Sequence, residues 1–142
     1  MLRVILPLTA ALIAASPGLA ADDSGRKLDT MLTGAAEVPG PGDSDGRGTA
    51  SLRINPGQGT ACYTVTYANI ANPAAAHIHR GGRTVAGPVV VPLKVAAGGS
   101  FKGCATVTRE LAMDLIRDPG AFYVNVHNAD FPAGAIRGQL GK

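Results

Sequence analysis

Residues 62–67 read CYTVTY, and this short stretch decides the fold class of the chain. Successive side chains of a β-strand point to opposite faces, so Tyr63, Val65 and Tyr67 share one face and the residues between them share the other. This alternation predicts a strand with an apolar face on the core and a more polar face outside, as in an antiparallel sheet.

The rest of the chain repeats this β-rich character in short runs separated by breaks of Gly, Pro, Asn and Asp. Short strands at this spacing are typical of an antiparallel sandwich or barrel. The candidate strands are Thr30–Ala36, Arg47–Ile54, Cys62–Asn69, Ala76–His79, Pro88–Val95, Ser100–Thr108, Phe122–Asn128 and Ala135–Leu140.

One helix is predicted, and it is short, over Arg109–Arg117. Thr108 can cap its first turn, and the sequence DPG at 118–120 ends it. Leu111 and Leu115 would share the buried face. The fold class is therefore predicted to be all-β with one short helix.

Residues 1–20, MLRVILPLTAALIAASPGLA, have the pattern of a secretory signal peptide: a basic Arg3, an apolar run, and small residues after Pro17. We expect cleavage after Ala20 or Ala21, a periplasmic or secreted location, and no membrane anchor after cleavage. Residues 21–29 are then an N-terminal connection, and residues 30–142 form one domain.

Composition argues against a nucleic-acid partner. The formal net charge is +3, the charged residues are scattered, and the aromatic residues are three Phe and three Tyr without Trp. A nucleic-acid surface needs a basic stripe with stacking side chains, and none is apparent here.

The two cysteines, Cys62 and Cys104, both follow the predicted signal peptide. An even number of cysteines in an oxidising compartment favours a disulfide. Each lies on the non-core face of its strand, so the bridge is expected to link the outer surfaces of neighbouring strands.

All three histidines of the chain lie in strand segments. His77 and His79 are two apart in AAAHIHRGG (74–82), and therefore share a face. In the segment FYVNVHNADFP, residues 122–132, the apolar Val124 and Val126 assign His127 to the opposite, polar side. If the two strands are neighbours, the three imidazoles converge on the outer surface.

Three neutral nitrogen donors without a thiolate suit Cu(II) or Zn(II) and leave one position open for water or a substrate. Asn125 or Asp130 could orient an imidazole through its second nitrogen. Arg137 could guide an anion towards the metal, although an ion pair with Glu37 is the favoured interpretation of this arginine. The histidines are equally compatible with ordinary solvated strand residues.

Three segments resemble the CHRD domain, the module named after chordin: LTGAAEVPGPG, AAAHIHRGGRTVAGPVVVPL and FYVNVHNADFPAGAIRGQL. The resemblance runs from about residue 30 to residue 140. It implies a Greek-key β-sandwich, found in bacteria as a single exported domain. The biochemical role of the family is less settled than its fold.

A second, partial resemblance concerns AHIHRGG, which is similar to the H-x-H strand that supplies two copper ligands in copper/zinc superoxide dismutases. Those enzymes take another copper ligand from a late strand, a position that His127 would match. The chain has no fourth histidine and no His/Asp cluster for zinc, so the resemblance implies a copper-only site of three imidazoles.

Two classes of function follow from the sequence. The first is an exported metal-site protein that binds copper, or zinc, for storage, delivery or superoxide dismutation. The second is a cofactor-free binding or structural module for an extracellular protein or glycan. The sequence leaves open the partner protein, assembly into a homo-oligomer, and whether any reaction is catalysed.

Overall fold

A computed structural model describes residues 24–141 of the protein. This part of the chain forms eight β-strands, one α-helix and two 3₁₀ helices. The strands are β1 (Arg26–Thr33), β2 (Arg47–Asn55), β3 (Thr60–Ala68), β4 (Ala75–Arg80), β5 (Val89–Leu93), β6 (Ser100–Thr106), β7 (Phe122–His127) and β8 (Ile136–Gln139). The helix is α1 (Arg109–Arg117), and the 3₁₀ turns are Gly34–Ala36 and Pro119–Ala121.

All eight strands belong to one antiparallel sheet with the order β5-β4-β7-β8-β1-β2-β3-β6. The connections from β3 to β4 and from β6 to β7 cross between its two halves, which is a Greek-key arrangement. The end strands β5 and β6 also contact each other, so the sheet curls into a near-barrel around the core. The predicted all-β antiparallel fold is confirmed.

Period-two alternation decides which side chains fill the core. In β3, Ala61, Tyr63, Val65 and Tyr67 are buried, whereas Thr64 and Thr66 are exposed. The other strands contribute apolar residues to the same interior, among them Leu28, Leu32, Leu52, Ile54, Ile78, Val124, Val126 and Ile136.

Helix α1 has the predicted bounds, Arg109–Arg117. The Thr108 hydroxyl accepts a hydrogen bond of 3.1 Å from the Leu111 amide, which satisfies a donor of the first turn. Leu115 and Ala112 are buried, and Asp114 pairs with Arg80 at the end of β4 at 2.8 Å. The helix thus packs on the barrel close to the H-x-H strand.

The first strand differs from the predicted Thr30–Ala36. It begins at Arg26, within the predicted N-terminal connection, and ends at Thr33, where a 3₁₀ turn follows. The charged Lys27 and Asp29 interrupt the apolar pattern, so the sequence does not reveal this part of the strand, whose inward residues are Leu28 and Leu32. The predicted signal peptide, residues 1–20, lies outside the described residues. None of the helices within residues 24–141 has the length and hydrophobicity needed to span a bilayer.

Cys62 and Cys104 form the predicted disulfide. They lie directly opposite each other in the β3–β6 pair, with their Cα atoms 3.9 Å apart. Because they belong to the outward-facing set of β3 and β6, the bridge joins the outer surfaces of the two strands.

Replacing both cysteines by serine should lower the free energy of unfolding by about 4 kcal/mol, because the bridge closes a loop over a sequence separation of 42 and restricts the unfolded chain. Urea unfolding followed by circular dichroism measures this change. The parent protein with its disulfide reduced should match the double variant; equal midpoints for oxidised and reduced parent would contradict the prediction.

Candidate metal centre

The antiparallel pairing of β4 with β7 brings the three histidines together. His77 lies opposite Asn125, and His127 lies opposite Ala75, so His77 and His127 are diagonal neighbours. His79 is two residues further along the same face of β4. The core side of both strands is occupied by apolar residues such as Ile78, which places all three imidazoles on the outer face.

The imidazole nitrogens are close enough to share one ion. His77 Nδ1 and His127 Nε2 are 3.2 Å apart. One nitrogen from each of the three rings lies within 4.8 Å of the other two. Bonds of about 2.0 Å in a tetrahedral site place neighbouring donors about 3.3 Å apart, so small side-chain rotations would complete the site.

Main-chain carbonyls fix the tautomers of two rings. His79 Nδ1 is 2.8 Å from the Gly87 carbonyl oxygen, and His127 Nδ1 is 3.0 Å from that of Pro132. A carbonyl can only accept, so each Nδ1 carries the proton and each Nε2 carries a lone pair. His79 is 8% exposed, and its Nε2 is buried without a hydrogen-bond partner. That nitrogen is available to bind a metal ion.

The local environment favours neutral imidazoles. Burial lowers the pKa of His77 to about 4, and the neighbouring His127 and His79 add to the effect. Burial also lowers the pKa of His127, against an opposing hydrogen bond to the Pro132 carbonyl. Histidine must be neutral to coordinate a metal, so His77 and His127 are in the form that could coordinate one at neutral pH.

Asp130 does not occupy the position that the sequence predicted for it. Its side chain is exposed, and the carbonyl of Pro132 takes the second nitrogen of His127 instead. Asn125 lies within the cluster, but its Oδ1 is 3.1 Å from His127 Nε2, the nitrogen that faces the other histidines. A main-chain carbonyl such as that of Pro132 cannot be recognised as a hydrogen-bond partner from the sequence, because every residue has one.

Arg137 is buried, at 1% exposure. Its guanidinium donates to the carbonyls of Val85 at 3.0 Å and Gly82 at 2.8 Å, and so holds the loop that follows β4 over the outer face. It also lies 3.4 Å from the centre of the Tyr123 ring. Arg137 therefore has a structural role, and its role as an anion guide stays a prediction.

Tyr123 separates Arg137 from the cluster. Its ring stacks on His79, with centroids 4.7 Å apart and planes 5° from parallel. The Tyr123 hydroxyl accepts a hydrogen bond of 3.1 Å from the Gly87 amide. A Cβ at position 87 would overlap the Arg80 carbonyl, so glycine is needed for this loop to reach both Tyr123 and His79.

Glu37 is a buried carboxylic acid beside the cluster, and the sequence predicts for it only a pairing with Arg137. It is 5% exposed, and its Oε1 has no hydrogen-bond partner. Burial raises its pKa to about 7, although the Arg137 charge, the Val38 amide and the Asn125 side chain act in the opposite direction. The predicted ion pair does not form a salt bridge among the described residues, although the Arg137 charge acts on the pKa of Glu37.

The fold and the cluster together define an all-β, disulfide-linked domain that carries three histidines on its outer face. The family model described as the CHRD domain matches residues 28–140. The chain belongs to the CHRD-domain family, as its resemblance to that domain predicted. Searches of curated proteins and of solved structures each gave no significant match.

Replacing Glu37 by glutamine should remove a pH-dependent loss of stability in the metal-free protein. Because the pKa of Glu37 is about 7 in the folded state and 4.5 in its ordinary state, the folded protein holds a proton that the unfolded chain has released between these values. Stability therefore falls as the pH rises through this window. Urea midpoints at pH 4, 6 and 8 should converge for parent and E37Q at pH 4 and favour E37Q at pH 8.

The matched control is Glu110→Gln in the exposed first turn of α1. It should leave the pH profile of the parent unchanged. A difference between parent and E37Q that is constant from pH 4 to pH 8 would show that Glu37 does not titrate in this window.

Proposed function

We propose that this CHRD-domain protein is exported and binds one copper ion through His77, His79 and His127. The observation that carries the proposal is the buried, unpartnered Nε2 of His79, which belongs to a cluster of nitrogens within 4.8 Å of one another. The Cys62–Cys104 disulfide and the signal-like residues 1–20 support export.

The energetics of the cluster support a bound ion. A buried polar atom without a partner costs about 1–3 kcal/mol, and metal coordination would remove this penalty at His79. Three imidazoles without a thiolate suit Cu(II) and Zn(II), and a given set of nitrogen donors binds Cu(II) more tightly than Zn(II). Copper is therefore the proposed ion, and zinc is expected to bind the same site more weakly.

Titration calorimetry with Cu(II) should show one ion bound per chain. Replacing His77, His79 or His127 by alanine should weaken binding strongly, because each change removes one donor atom. The affinity should fall as the pH is lowered, since protons compete for the imidazoles. The fall should extend below pH 6 towards pH 4, because the pKa of His77 is about 4 and that of His127 is also lowered.

Asp130→Ala provides the control, because this exposed carboxylate is on the same loop as Pro132 but does not hold His127. Its copper affinity should equal that of the parent. A parent protein without stoichiometric copper or zinc binding would refute the proposal and favour a cofactor-free binding or structural module.

Superoxide dismutation is a second, finer proposal for the same site. His77 and His127 are only partly buried, so a small molecule can reach the cluster from solvent. A bound copper ion would supply one-electron redox chemistry, by which two superoxide ions and two protons give dioxygen and hydrogen peroxide. The donor arrangement on β4 and β7 follows the partial resemblance of the H-x-H strand.

The copper-loaded protein should accelerate the decay of superoxide generated by pulse radiolysis, and the zinc-loaded protein should not, because zinc does not change oxidation state. The His77→Ala variant should lose this activity together with its copper. A copper-loaded parent that leaves the decay rate unchanged would limit the function to copper binding.

A further inference from the structure

Asn125 lies between a metal-binding histidine and a buried carboxylate. Its Oδ1 is 3.1 Å from His127 Nε2, and the same side chain hydrogen-bonds to Glu37. The hydrogen bond from Asn125 lowers the pKa of Glu37, as a hydrogen bond donated to a carboxyl group does, so the amide NH₂ faces Glu37. The amide oxygen therefore faces the histidines. Asn125 itself is buried, with 3% of its surface exposed.

This orientation places two lone pairs against each other. His127 donates its Nδ1 proton to the Pro132 carbonyl, which leaves Nε2 as an acceptor. The Asn125 oxygen is also an acceptor, and the two atoms are 3.1 Å apart without a proton to share in this tautomer. A cation bonded to both atoms would convert this repulsion into two favourable contacts.

The spacing fits that of two donors on one metal ion. His127 Nε2 is 3.2 Å from His77 Nδ1 and 3.1 Å from Asn125 Oδ1. Both distances are close to the donor separation of about 3.3 Å that bonds of about 2.0 Å produce in a tetrahedral site. We infer that the side-chain oxygen of Asn125 is a fourth ligand of the copper ion, and that Glu37 is the positioning residue that orients it.

The inference rests on the proposed copper site and gives it a donor set of three nitrogens and one oxygen. Nitrogen and oxygen donors together suit Cu(II), whereas Cu(I) prefers softer ligands. Asn125 should therefore stabilise bound Cu(II) relative to bound Cu(I). Cu(I) can be held by the three imidazoles without the oxygen donor.

The surroundings of Glu37 are built to accommodate its carboxylate. A Cβ at Gly134 would overlap the carboxylate, and a Cβ at Gly42 would lie 2.8 Å from the Glu37 Cγ. A neutral glutamine would have the same shape and a smaller desolvation penalty. When Glu37 is ionised it accepts at both oxygens, unlike glutamine, and so favours the orientation in which the Asn125 amide presents its NH₂ to Glu37 and its oxygen to the site.

The first test compares the parent protein with Asn125→Ala. Cu(II) affinity should fall by at least about tenfold, while Cu(I) affinity, measured by competition with a chromogenic chelator, should be unchanged. The Cu(II) electron paramagnetic resonance spectrum should change, because an oxygen donor is lost from the coordination sphere. Asn55→Ala removes an amide from the exposed end of β2 and should alter none of these readouts.

The second test exchanges the two groups in the double variant Glu37→Gln/Asn125→Asp. Aspartate then offers the oxygen donor and glutamine the NH₂ group, so the total charge and the hydrogen bond are retained. Cu(II) affinity should be at least that of the parent. Glu37→Gln alone should weaken Cu(II) binding by about 10–100-fold and give two superposed resonance spectra, because the Asn125 amide can then adopt either orientation.

The outcomes separate this inference from the function on which it rests. A parent protein that fails to bind Cu(II) would refute the three-histidine site itself. A parent that binds, with an Asn125→Ala variant of equal Cu(II) affinity and identical resonance spectrum, would refute only the Asn125 ligand. If Asn125→Ala does not fold, as judged by circular dichroism, the folded exchange variant decides: parental affinity supports the inference, and lost Cu(II) binding refutes it.

Discussion

The antiparallel pairing of β4 with β7 is the constraint on which the cluster depends. A shift of one residue in a strand pair moves every side chain to the other face of the sheet. Ile78 and Val124 are directly opposite each other and are completely buried in the core, so the register cannot shift without exposing both. The same register places His77 opposite Asn125, and it thereby sets the composition of the outer face.

The outer face of these strands is itself covered, which changes the chemistry of its residues. Arg137 on β8 holds the loop after β4 through two carbonyls, and Tyr123 lies between Arg137 and His79. Solvent is thereby kept from His79, which is 8% exposed and the most buried of the three histidines. A residue with a structural role thus helps to bury one side of the cluster.

Local patterns in the sequence were sufficient to predict the all-β class, the bounds of α1 and the Cys62–Cys104 bridge. Each depends on a period, a cap or a count that a few neighbouring residues reveal. The covered outer face was not predictable in this way, because the loop around Gly87 reaches His79 through main-chain atoms. The partner of His127 was not predictable for the same reason. It is the main-chain carbonyl of Pro132 and not the Asp130 side chain, and because every residue has a carbonyl, the sequence does not show which one accepts the hydrogen bond.

The distribution of unsatisfied groups is informative. Among residues 24–141, the two buried side-chain atoms without a hydrogen-bond partner are Glu37 Oε1 and His79 Nε2. Native proteins satisfy nearly all buried polar groups, so such exceptions require an explanation. Both lie in or beside the cluster, and the opposed lone pairs of Asn125 and His127 lie there too.

A single divalent cation would relieve these unfavourable features together. It would bond to the free nitrogen of His79 and separate the two acceptors, and its charge would favour the ionised form of Glu37. A hydrogen bond between neutral groups could relieve only one of these unfavourable features at a time. A metal ion would therefore stabilise the cluster, which is carried on a barrel held together by its disulfide and apolar core.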